Sequence, residues 1–592
     1  GTSTFKNISY FGGLNFGSSS SVSDTSTIQS GGYTNINGPV YLTNSILRYN
    51  TGGNYLRRVE WSTTSGKSYP YHVLLTGGSQ IYASHASALS AATPLNIAGD
   101  LTIDNGSQLF MDDFNGANNT TVSLIVGGSI NLKGNLSASK TLNSDIKLGK
   151  DWNFTVGGNF YPNSRAVWFT GTVLQNISRS AAGTLNFDYV INQNTSGGVK
   201  LASGTGINFN GTGDALQLLG TGTGNVFDLN ANTATVVNAG NVKISGTQYI
   251  SNTNATGANF NITNTGGNVN SGTLLEFGTN VTVGLNNGFN FGNGLSTVKG
   301  TLSVNSGGFV DTYPPTYFSN SVLLYNSTGT YSRNLEWSAI SGPGYPHHVT
   351  IQNGTTLDLS ANGWAARNCG GNLTLGVTGS AGSLSMGSMT SPLTVAGNVT
   401  IGGSTGLSTL TLGGLSGVNA GDIYIGGNWT RNGFGSFNPS AISNGRAVFF
   451  NTATASTITA NLGETFPYLF ISKNAKANTV TLASNITVSR ELHLTTGTLQ
   501  LSNSDITLPS SSANTAEVSK INNTALVDVT YGTGKFIIER YIPARRAWRL
   551  LCAPITSAQT INAAWQEGGQ STTLTGPASI SNPVPGFGTH IT

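Results

Sequence analysis

Apolar and polar residues alternate with a period of two in short runs along most of this chain. Typical runs are LNIAGDLTIDNG, which begins at Leu95, and LTVAGNVTIGG, which begins at Leu393. Such alternation indicates β-strands that bury one face, and the glycine or asparagine after each run marks a turn. No segment has sustained helical periodicity or an apolar stretch long enough to span a membrane. The pattern therefore predicts many short strands joined by tight turns.

One stretch occurs twice, because Tyr41–Val73 matches Tyr317–Val349 without a gap at an offset of 276 residues. A match of this kind in a sequence of such low complexity implies duplication, so the fold must tolerate repetition along an axis. The residues that recur are Tyr41, Tyr49, Tyr55, Arg57, Glu60, Trp61, Tyr69, Pro70 and His72 in the first copy and Tyr317, Tyr325, Tyr331, Arg333, Glu336, Trp337, Tyr345, Pro346 and His348 in the second.

The match extends beyond this stretch, but its offset changes. Leu101–Ile103 resembles Val399–Ile401 at an offset of 298 residues, and Gly157–Phe160 resembles Gly426–Trp429 at 269. Later segments return to an offset of 281 residues. These matches predict that a unit of nearly 200 residues was copied whole and that insertions accumulated at its turns.

The section between the copies, Gly204–Asn287, follows the same pattern of strands and turns. A stack of parallel strands explains it, because inward residues are then apolar while Asn, Ser and Thr occupy outer faces and turns. An antiparallel β-sandwich array is the alternative, but arrays usually have linkers and none separates the copies. We therefore predict an all-β fold, a mostly parallel β-solenoid (β-helix) with an internal duplication.

Three regions follow from this interpretation. Residues 1–287 form a first β-solenoid module with the unique coils between the copies, and residues 288–509 form the second, duplicated module. After Pro509 the run Ser510–Ser512 looks like a linker and charged residues return. We predict that residues 510–592 are the truncated beginning of a separate β domain. Its segment Lys535–Ile555 carries several arginines, interpreted as solvated or carboxylate-paired, with an anion-binding patch as the alternative.

Charge and cysteine content narrow the function classes. Only 8% of the residues are charged, against about 25% in ordinary soluble proteins. The formal net charge of +4 is small and spread along the chain, which argues against a nucleic-acid partner. Cys369 and Cys552 lie far apart and are interpreted as isolated buried thiols. Metal, nucleotide and nucleophile motifs are absent, so neither metal nor cofactor is expected.

A polysaccharide-cleaving enzyme would need clustered carboxylates, or a base beside a metal. Asp100 and Asp104 fall on one strand face, but the second copy has Asn398 and Gly402 at the matched positions. Asp112-Asp113 has no clear counterpart. Chance surface carboxylates are the preferred interpretation, with a decaying catalytic site as the alternative.

The charged and tryptophan residues retained in both copies are the candidates for carbohydrate contact. A tryptophan would stack on a pyranose while the charged side chains bind hydroxyls. The other interpretation places Trp61 in the core, because it shares a strand face with Val59, and makes the Arg–Glu pair a local brace. The candidates are Arg57, Glu60, Trp61, His72, Arg333, Glu336, Trp337 and His348.

Two groups of motifs in the second half of the chain resemble known proteins. The first group is Gly427-Asn428-Trp429, Gly433, Phe434 and Phe437, then Arg446–Phe450 and Phe466–Ile471. The second is YIPARRAWRLLCAPI from Tyr541, TINAAWQEGG from Thr560 and PGFGTHIT from Pro585. The first resembles repeated β-rich units, and the second a module that follows such units, in very large secreted surface proteins of gliding and gut Bacteroidetes.

This resemblance implies export by the type IX secretion system, with the secretion and surface-attachment machinery as partners. We therefore predict a secreted, non-enzymatic protein at the cell surface, the stalk or adhesive body of an adhesin, with surface polysaccharides as candidate ligands. The alternative is a secreted carbohydrate-active β-helix enzyme, either a polysaccharide lyase or a glycosidase.

Overall fold

A computed structural model describes residues 3–541 apart from 85–88, 114–117, 239, 264–265, 362–366, 415–419 and 440–444. Contacts group the chain into two units, Gly1–Glu539 and Arg540–Thr592. All described strands belong to the first unit. The predicted site of Cys552, most of the arginine-rich segment and the C-terminal motifs lie outside the described residues.

The first unit is a parallel β-solenoid, as the alternating pattern predicts. Each strand pairs with the strands one coil before and one coil after it; Leu101–Ile103, for example, lies between His72–Leu75 and Ile130–Leu132. Within the described part of the chain every strand-to-strand pairing is parallel, so the alternative of an antiparallel sandwich array is wrong. Two single 3-10 turns, Gly222–Gly224 and Leu335–Trp337, are its only helical elements. Neither is long and apolar enough to cross a membrane.

Two sheets form faces of the coil over the first half of the unit. The first sheet contains Thr4–Tyr10, Ser21–Gln29, Val40–Tyr41, Ile46–Asn50, His72–Leu75, Leu101–Ile103, Ile130–Leu132, Trp152–Phe154, Gln175–Arg179, Val199–Leu201, Val226–Asp228, Thr247–Ser251, Leu274–Phe277, Ser296–Val298 and Thr316–Tyr317. The second contains Leu95–Ile97, Leu124–Val126, Ile146–Leu148, Ala166–Phe169, Tyr189–Asn192, Gly213–Leu218, Gly240–Ile244, Gly267–Asn270, Gly288–Asn290 and Phe309–Val310.

A larger sheet continues to the end of the unit. It contains Gly183–Phe187, Thr205–Phe209, Thr233–Val236, Ala258–Ile262, Val281–Leu285, Thr301–Asn305, Val322–Asn326, His348–Ile351, Arg367–Cys369, Leu373–Leu375, Leu393–Val395, Val399–Ile401, Ile423–Ile425, Trp429–Arg431, Ala447–Phe450, Ser456–Ala460, Glu464–Ser472, Thr479–Leu482, Ile486–Gln500, Ile506–Leu508, Glu517–Val518, Val527–Thr530 and Phe536–Ile538.

Each copy also has a short five-stranded sheet, and one further strand pair, Gly13–Leu14 with Tyr33–Thr34, precedes them. The short sheet of the first copy contains Asn54–Leu56, Gln80–Tyr82, Gln108–Phe110, Asn135–Ser137 and Asn159–Tyr161. That of the second contains Gly329–Ser332, Thr355–Asp358, Gly382–Ser385, Ser408–Thr411 and Gly435–Asn438.

Alternate strand residues point inward and form one continuous apolar core. Thr400 faces outward between the inward Val399 and Ile401. The six residues predicted to face inward are at most 1% exposed, which confirms that prediction: Ile97, Leu101, Ile103, Val395, Val399 and Ile401. Each buried aliphatic side chain of this size stabilises the fold by about 1.5 to 3 kcal/mol.

The structure corrects how the two copies align. One coil after His72–Leu75 comes Leu101–Ile103, and one coil after His348–Ile351 comes Leu373–Leu375. Val399–Ile401 lies one coil further on, so the offset of 298 residues joins coils that are not equivalent. Successive coils share nearly the same alternating pattern, and a match out of register by one coil therefore looks as good as the correct one. The predicted insertions at the turns are not needed.

The copies also differ in the face they occupy. Ile46–Asn50 and Thr316–Tyr317 both belong to the first sheet. Val322–Asn326, which matches Ile46–Asn50 in sequence, is the next strand after Thr316–Tyr317 and belongs to the larger sheet. The second copy is therefore turned by one face, a third of a coil, relative to the first. Its backbone repeats in detail, since Asn44 and Asn320 both have a positive φ, 66° and 68°.

Parallel pairing crosses both predicted domain boundaries. Val281–Leu285 pairs with Thr301–Asn305 across residue 287, and Ile506–Leu508 pairs with Phe536–Ile538 across residue 510. The coil thus continues to Ile538, and the predicted start of a separate domain at residue 510 is corrected. The charged residues that return there occupy outer positions and turns of the same coil, which a change in composition cannot distinguish from a new domain.

Candidate functional site

The retained glutamate of the first copy lies inside the coil. Glu60 is fully buried, and its Oε1 accepts hydrogen bonds from the Tyr49 hydroxyl at 3.1 Å and the Arg58 main-chain N–H at 2.9 Å. The residue just before the turn thereby receives an internal cap, which the bend of the chain at this point would otherwise lack. Glu60 therefore stabilises a loop rather than presenting a charge to solvent.

The neighbouring arginine binds main-chain carbonyls. Arg57 is 1% exposed, and its guanidinium donates to the carbonyl oxygens of Ala83 at 2.7 Å and Trp61 at 2.6 Å. It also donates to Pro94 at 2.6 Å. The Trp61 indole N–H donates to the Asn96 carbonyl at 2.8 Å. These bonds tie one coil to the next, because their acceptors lie on later strands and turns.

The second copy repeats this arrangement. Glu336 Oε1 accepts from the Tyr325 hydroxyl at 3.2 Å and the Asn334 N–H at 2.8 Å. Arg333 donates to the Leu359 and Trp337 carbonyls at 3.1 and 2.9 Å, and the Trp337 indole donates to Asn368 at 2.8 Å. The same bonds at two places show that the sequence motif encodes a structural unit.

Burial sets the electrostatics of this unit. It raises the pKa of Glu60 and Glu336 and lowers the pKa of Arg57 to about 10. The second oxygen of each glutamate is buried without a hydrogen-bond partner, which disfavours the charged carboxylate further. Burial and the nearby glutamate also raise the pKa of Tyr49. In neither copy do the described arginine and glutamate approach within ion-pair distance.

The histidines begin a ladder of caps on the outer corner. His72 Nδ1 accepts the Asp100 N–H at 2.8 Å, and the Asp100 carboxylate accepts the Ser129 N–H at 2.7 Å. In the second copy His348 accepts from Asn372 at 2.9 Å, and Asn372 accepts from Asn398 at 2.9 Å. Each side chain satisfies a main-chain donor of the next coil, so both histidines and Asp100 have structural partners.

The predicted carbohydrate contacts do not fit these positions. Arg57, Glu60 and Trp61 and their counterparts Arg333, Glu336 and Trp337 are at most 1% exposed, so they offer no surface to a sugar. His72 and His348 are half-buried and hold main-chain N–H groups. The interpretation as core and brace fits, with one correction: the arginine and the glutamate brace separate main-chain groups and not each other.

Other sequence candidates also have structural partners. Asp112 accepts main-chain N–H groups of Thr120 and Lys140 at 2.9 and 2.7 Å, and Asp104 pairs with Lys133 at 3.1 Å. Among the described residues no group of three or more acidic, histidine or cysteine side chains is placed to hold a metal. Cys369 is a buried free thiol, and burial raises its pKa to about 12.

A second retained charged set escaped the sequence analysis. Asp145 accepts the Ala166 N–H at 3.0 Å, and Asp422 accepts the Ala447 N–H at 2.9 Å. Arg165 and Arg446 precede those alanines, and Arg446 lies 3.8 Å from Asp422. The conserved spacing Asp–Arg–Ala was the available signal, but only its second half had been aligned. This set also caps strand starts.

The structure reveals a matched pair of clefts where the short sheets end. In the first copy Trp152, Phe160 and Phe187 pack edge to face with ring centroids 4.8 to 5.5 Å apart. In the second copy Trp429, Phe437 and Phe466 do the same at 4.9 to 5.8 Å. The sequence comparison had paired Phe160 with Trp429, whereas Trp152 and Trp429 are equivalent. Clefts of about 250 and 590 Å³ adjoin these aromatic clusters.

Comparisons of the chain with models of protein families, with curated proteins and with solved structures found no match.

Proposed function

We propose that this chain is a non-enzymatic, secreted protein of the cell surface that works as a stalk or adhesive body. The observation that carries the proposal is the use made of the retained residues. In both copies the arginine, glutamate, tryptophan and histidine support the backbone of a continuous coil. Duplication has thus preserved a long, regular scaffold, which suits spacing and surface presentation.

The spacing of the retained carboxylates supports the same proposal. Trp61, next to Glu60, contacts the Leu95–Ile97 strand, and Asp145 precedes a strand two coils further on. At about 4.8 Å per coil the two carboxylates are about 14 Å apart. Glycosidases place their two carboxylates about 5 to 10 Å apart. The retained acids therefore lack the spacing of a catalytic pair.

An outer stack of rings also supports a scaffold role. Tyr424, Phe449, Phe470 and His493 lie on successive coils with centroid distances of 4.3, 4.2 and 3.8 Å. Their planes are within 23° of parallel. The faces of the inner rings cover one another, so only ring edges remain for solvent. Such a stack stabilises the coil but offers few faces for a sugar.

Export by the type IX secretion system and attachment to the cell surface are part of this proposal and rest on the motif resemblance. Surface polysaccharides are the proposed ligands. The alternative of a carbohydrate-active enzyme is favoured by one observation, the presence of Glu464 and Asp505 in one cleft. Glu464 is engaged there by the Trp429 indole at 3.0 Å and Arg431 at 2.8 Å.

The test compares the wild-type protein with two variants on a panel of polysaccharides, measuring both retention and release of reducing ends. One variant carries Glu60→Gln and Glu336→Gln, and the other carries Glu464→Gln and Asp505→Asn. We expect retention without product for all three proteins. Product released by the wild type and lost in either variant would replace the scaffold proposal with an enzymatic one.

A further inference from the structure

The cleft of the second copy has the size of a small-molecule site. Its volume is about 590 Å³, within the range of about 300 to 1,000 Å³ found for ligand pockets. It opens beside Gly435–Asn438, the last strand of the short sheet, where no further strand continues that face. The residues relevant to ligand contact are Phe437, Leu462, Thr465, Asn485, Thr487 and Asp505.

One wall of the cleft is an apolar residue held in an unfavourable state. Leu462 lines the cleft, is 95% exposed and has a φ of 69°. A leucine in this left-handed region is strained, and glycine or asparagine is the residue usually found there. Phe434 on the preceding coil is 48% exposed and continues the apolar edge. The fold gains nothing from this leucine, so contact with a ligand explains its presence.

The floor of the cleft is a column of neutral polar groups. Thr465, Thr487 and Thr507 lie in register on three successive strands, about 4.8 Å apart. Their hydroxyls make no hydrogen bond to any residue that the structure describes. Asn485 uses its Oδ1 to accept the Asp505 N–H, and Asp505 uses its Oδ1 to accept the Lys535 N–H, both at 2.8 Å. The Asn485 amide N–H groups and the second Asp505 oxygen remain for a ligand.

The charges of the cleft select against anions. Arg431 is neutralised by Glu464 at 2.8 Å and donates its other N–H groups to the carbonyls of Gly435 and Gly463. Asp505 then leaves the cleft with a net negative charge. A phosphate or a uronate would be repelled, whereas the hydroxyls of a neutral sugar can donate to Asp505 and bind the threonines.

The first copy supplies a matched comparison within the same chain. Its cleft is about 250 Å³ and has the same aromatic cluster. Thr184 occupies the position of Thr465, but its neighbour on the next coil is Gly206, so the threonine column is missing. Ala181 stands where the second copy has Leu462. Only the second copy therefore has both an apolar wall and a hydroxyl floor.

We propose that the cleft lined by Leu462, Phe437 and the Thr465–Thr487–Thr507 column binds a segment of a neutral polysaccharide chain. The apolar wall contacts the ring face of a sugar, and the floor and Asp505 bind its hydroxyls. This inference rests on the proposed adhesive function and names the class of ligand.

The experiment measures binding by affinity electrophoresis and calorimetry, with soluble β-glucan, mannan and xylan as neutral probes and alginate and polygalacturonate as anionic probes. The variants are Leu462→Gly and Thr487→Val in the proposed site and Thr184→Val in the first-copy cleft. Leu462→Gly should weaken binding of a neutral probe at least about tenfold while leaving the melting temperature equal or higher, because glycine relieves the strained φ. Thr487→Val should weaken binding, and Thr184→Val should not.

Several results would overturn the inference. Undiminished binding by both Leu462→Gly and Thr487→Val would show that the sugar binds elsewhere and would leave the adhesive function intact. Preference for the anionic probes, or an equal loss in Thr184→Val, would contradict the charge and copy arguments. Absence of binding to every neutral probe would refute the inference, and release of products would refute the non-enzymatic function.

Discussion

Replacing Glu60 by alanine and by glutamine separates the hydrogen-bonding role of this residue from its charge. Glutamine keeps an oxygen where Oε1 accepts from Tyr49 and Arg58, whereas alanine removes it. Each buried donor left without an acceptor costs about 1 to 3 kcal/mol. Glu60→Ala should therefore destabilise the loop by about 2 to 6 kcal/mol, and Glu60→Gln should change its stability by less than about 1 kcal/mol.

The pH dependence has a definite sign. Burial raises the pKa of Glu60 in the folded protein above that in the unfolded chain. The folded state thus holds a proton that the unfolded state has released. The contribution of this proton to stability is full below the unfolded pKa, about 4.3, and is lost as the pH rises through the folded pKa. Glu60→Gln should remove this dependence and should compare best with the wild type at low pH.

Native-state hydrogen exchange is the appropriate assay, because a long repeat protein opens locally before it unfolds. The amides of Arg58 and Trp61 should exchange at least about a hundredfold faster in Glu60→Ala, since about 1.4 kcal/mol corresponds to a factor of ten. Glu336→Ala is the matched control, which should accelerate exchange around Asn334 and leave the first copy unchanged. Equal acceleration by Glu60→Gln and Glu60→Ala would refute the reasoning and show that the negative charge itself is required.

Two further predictions concern the core. Lys473 is 3% exposed and donates to the Thr454 carbonyl and the Ser456 hydroxyl at 2.9 and 2.6 Å, and burial lowers its pKa to about 8. Between this value and the unfolded pKa near 10.4 the unfolded chain holds the extra proton, so stability relative to Lys473→Met should rise with pH by about 3 kcal/mol; a pH-independent difference in chemical denaturation would contradict this. Val399→Asp should place an unpaired carboxylate in the core and cost more than about 4 kcal/mol, opening new protease sites near the second copy; an unchanged cleavage pattern would mean that this position tolerates water.

Much of the fold was predictable from the sequence. The period-two runs around Leu101 and Val399, with glycine or asparagine after each, indicated strands with one buried face, and the gap-free repeat of Tyr41–Val73 indicated a fold that extends along an axis. Both signals are local, since they depend only on neighbouring residues and on the identity of two segments. The parallel solenoid and the buried positions Ile97 and Ile401 followed from them.

The candidate site could be predicted only in part. The repeat identified Arg57, Glu60 and Trp61 as a unit, but strand alternation leaves open whether a charged side chain at a turn points into the coil or away from it. Contacts with the next coil decide this, and the carbonyls that Arg57 binds lie about 26 to 37 residues further along the chain. The cleft at Leu462 likewise depends on strands that are distant in sequence.

By itself the sequence determined what repeats in this protein: strand, turn and the 276-residue copy. Only the tertiary structure decided which coil pairs with which, on which face each copy lies, and where charge is buried. The physical reason is that every coil carries nearly the same alternating pattern, so the pattern alone does not count coils. Val322–Asn326 therefore sits one face away from Ile46–Asn50, because the chain between the copies winds through a number of coils that is not whole.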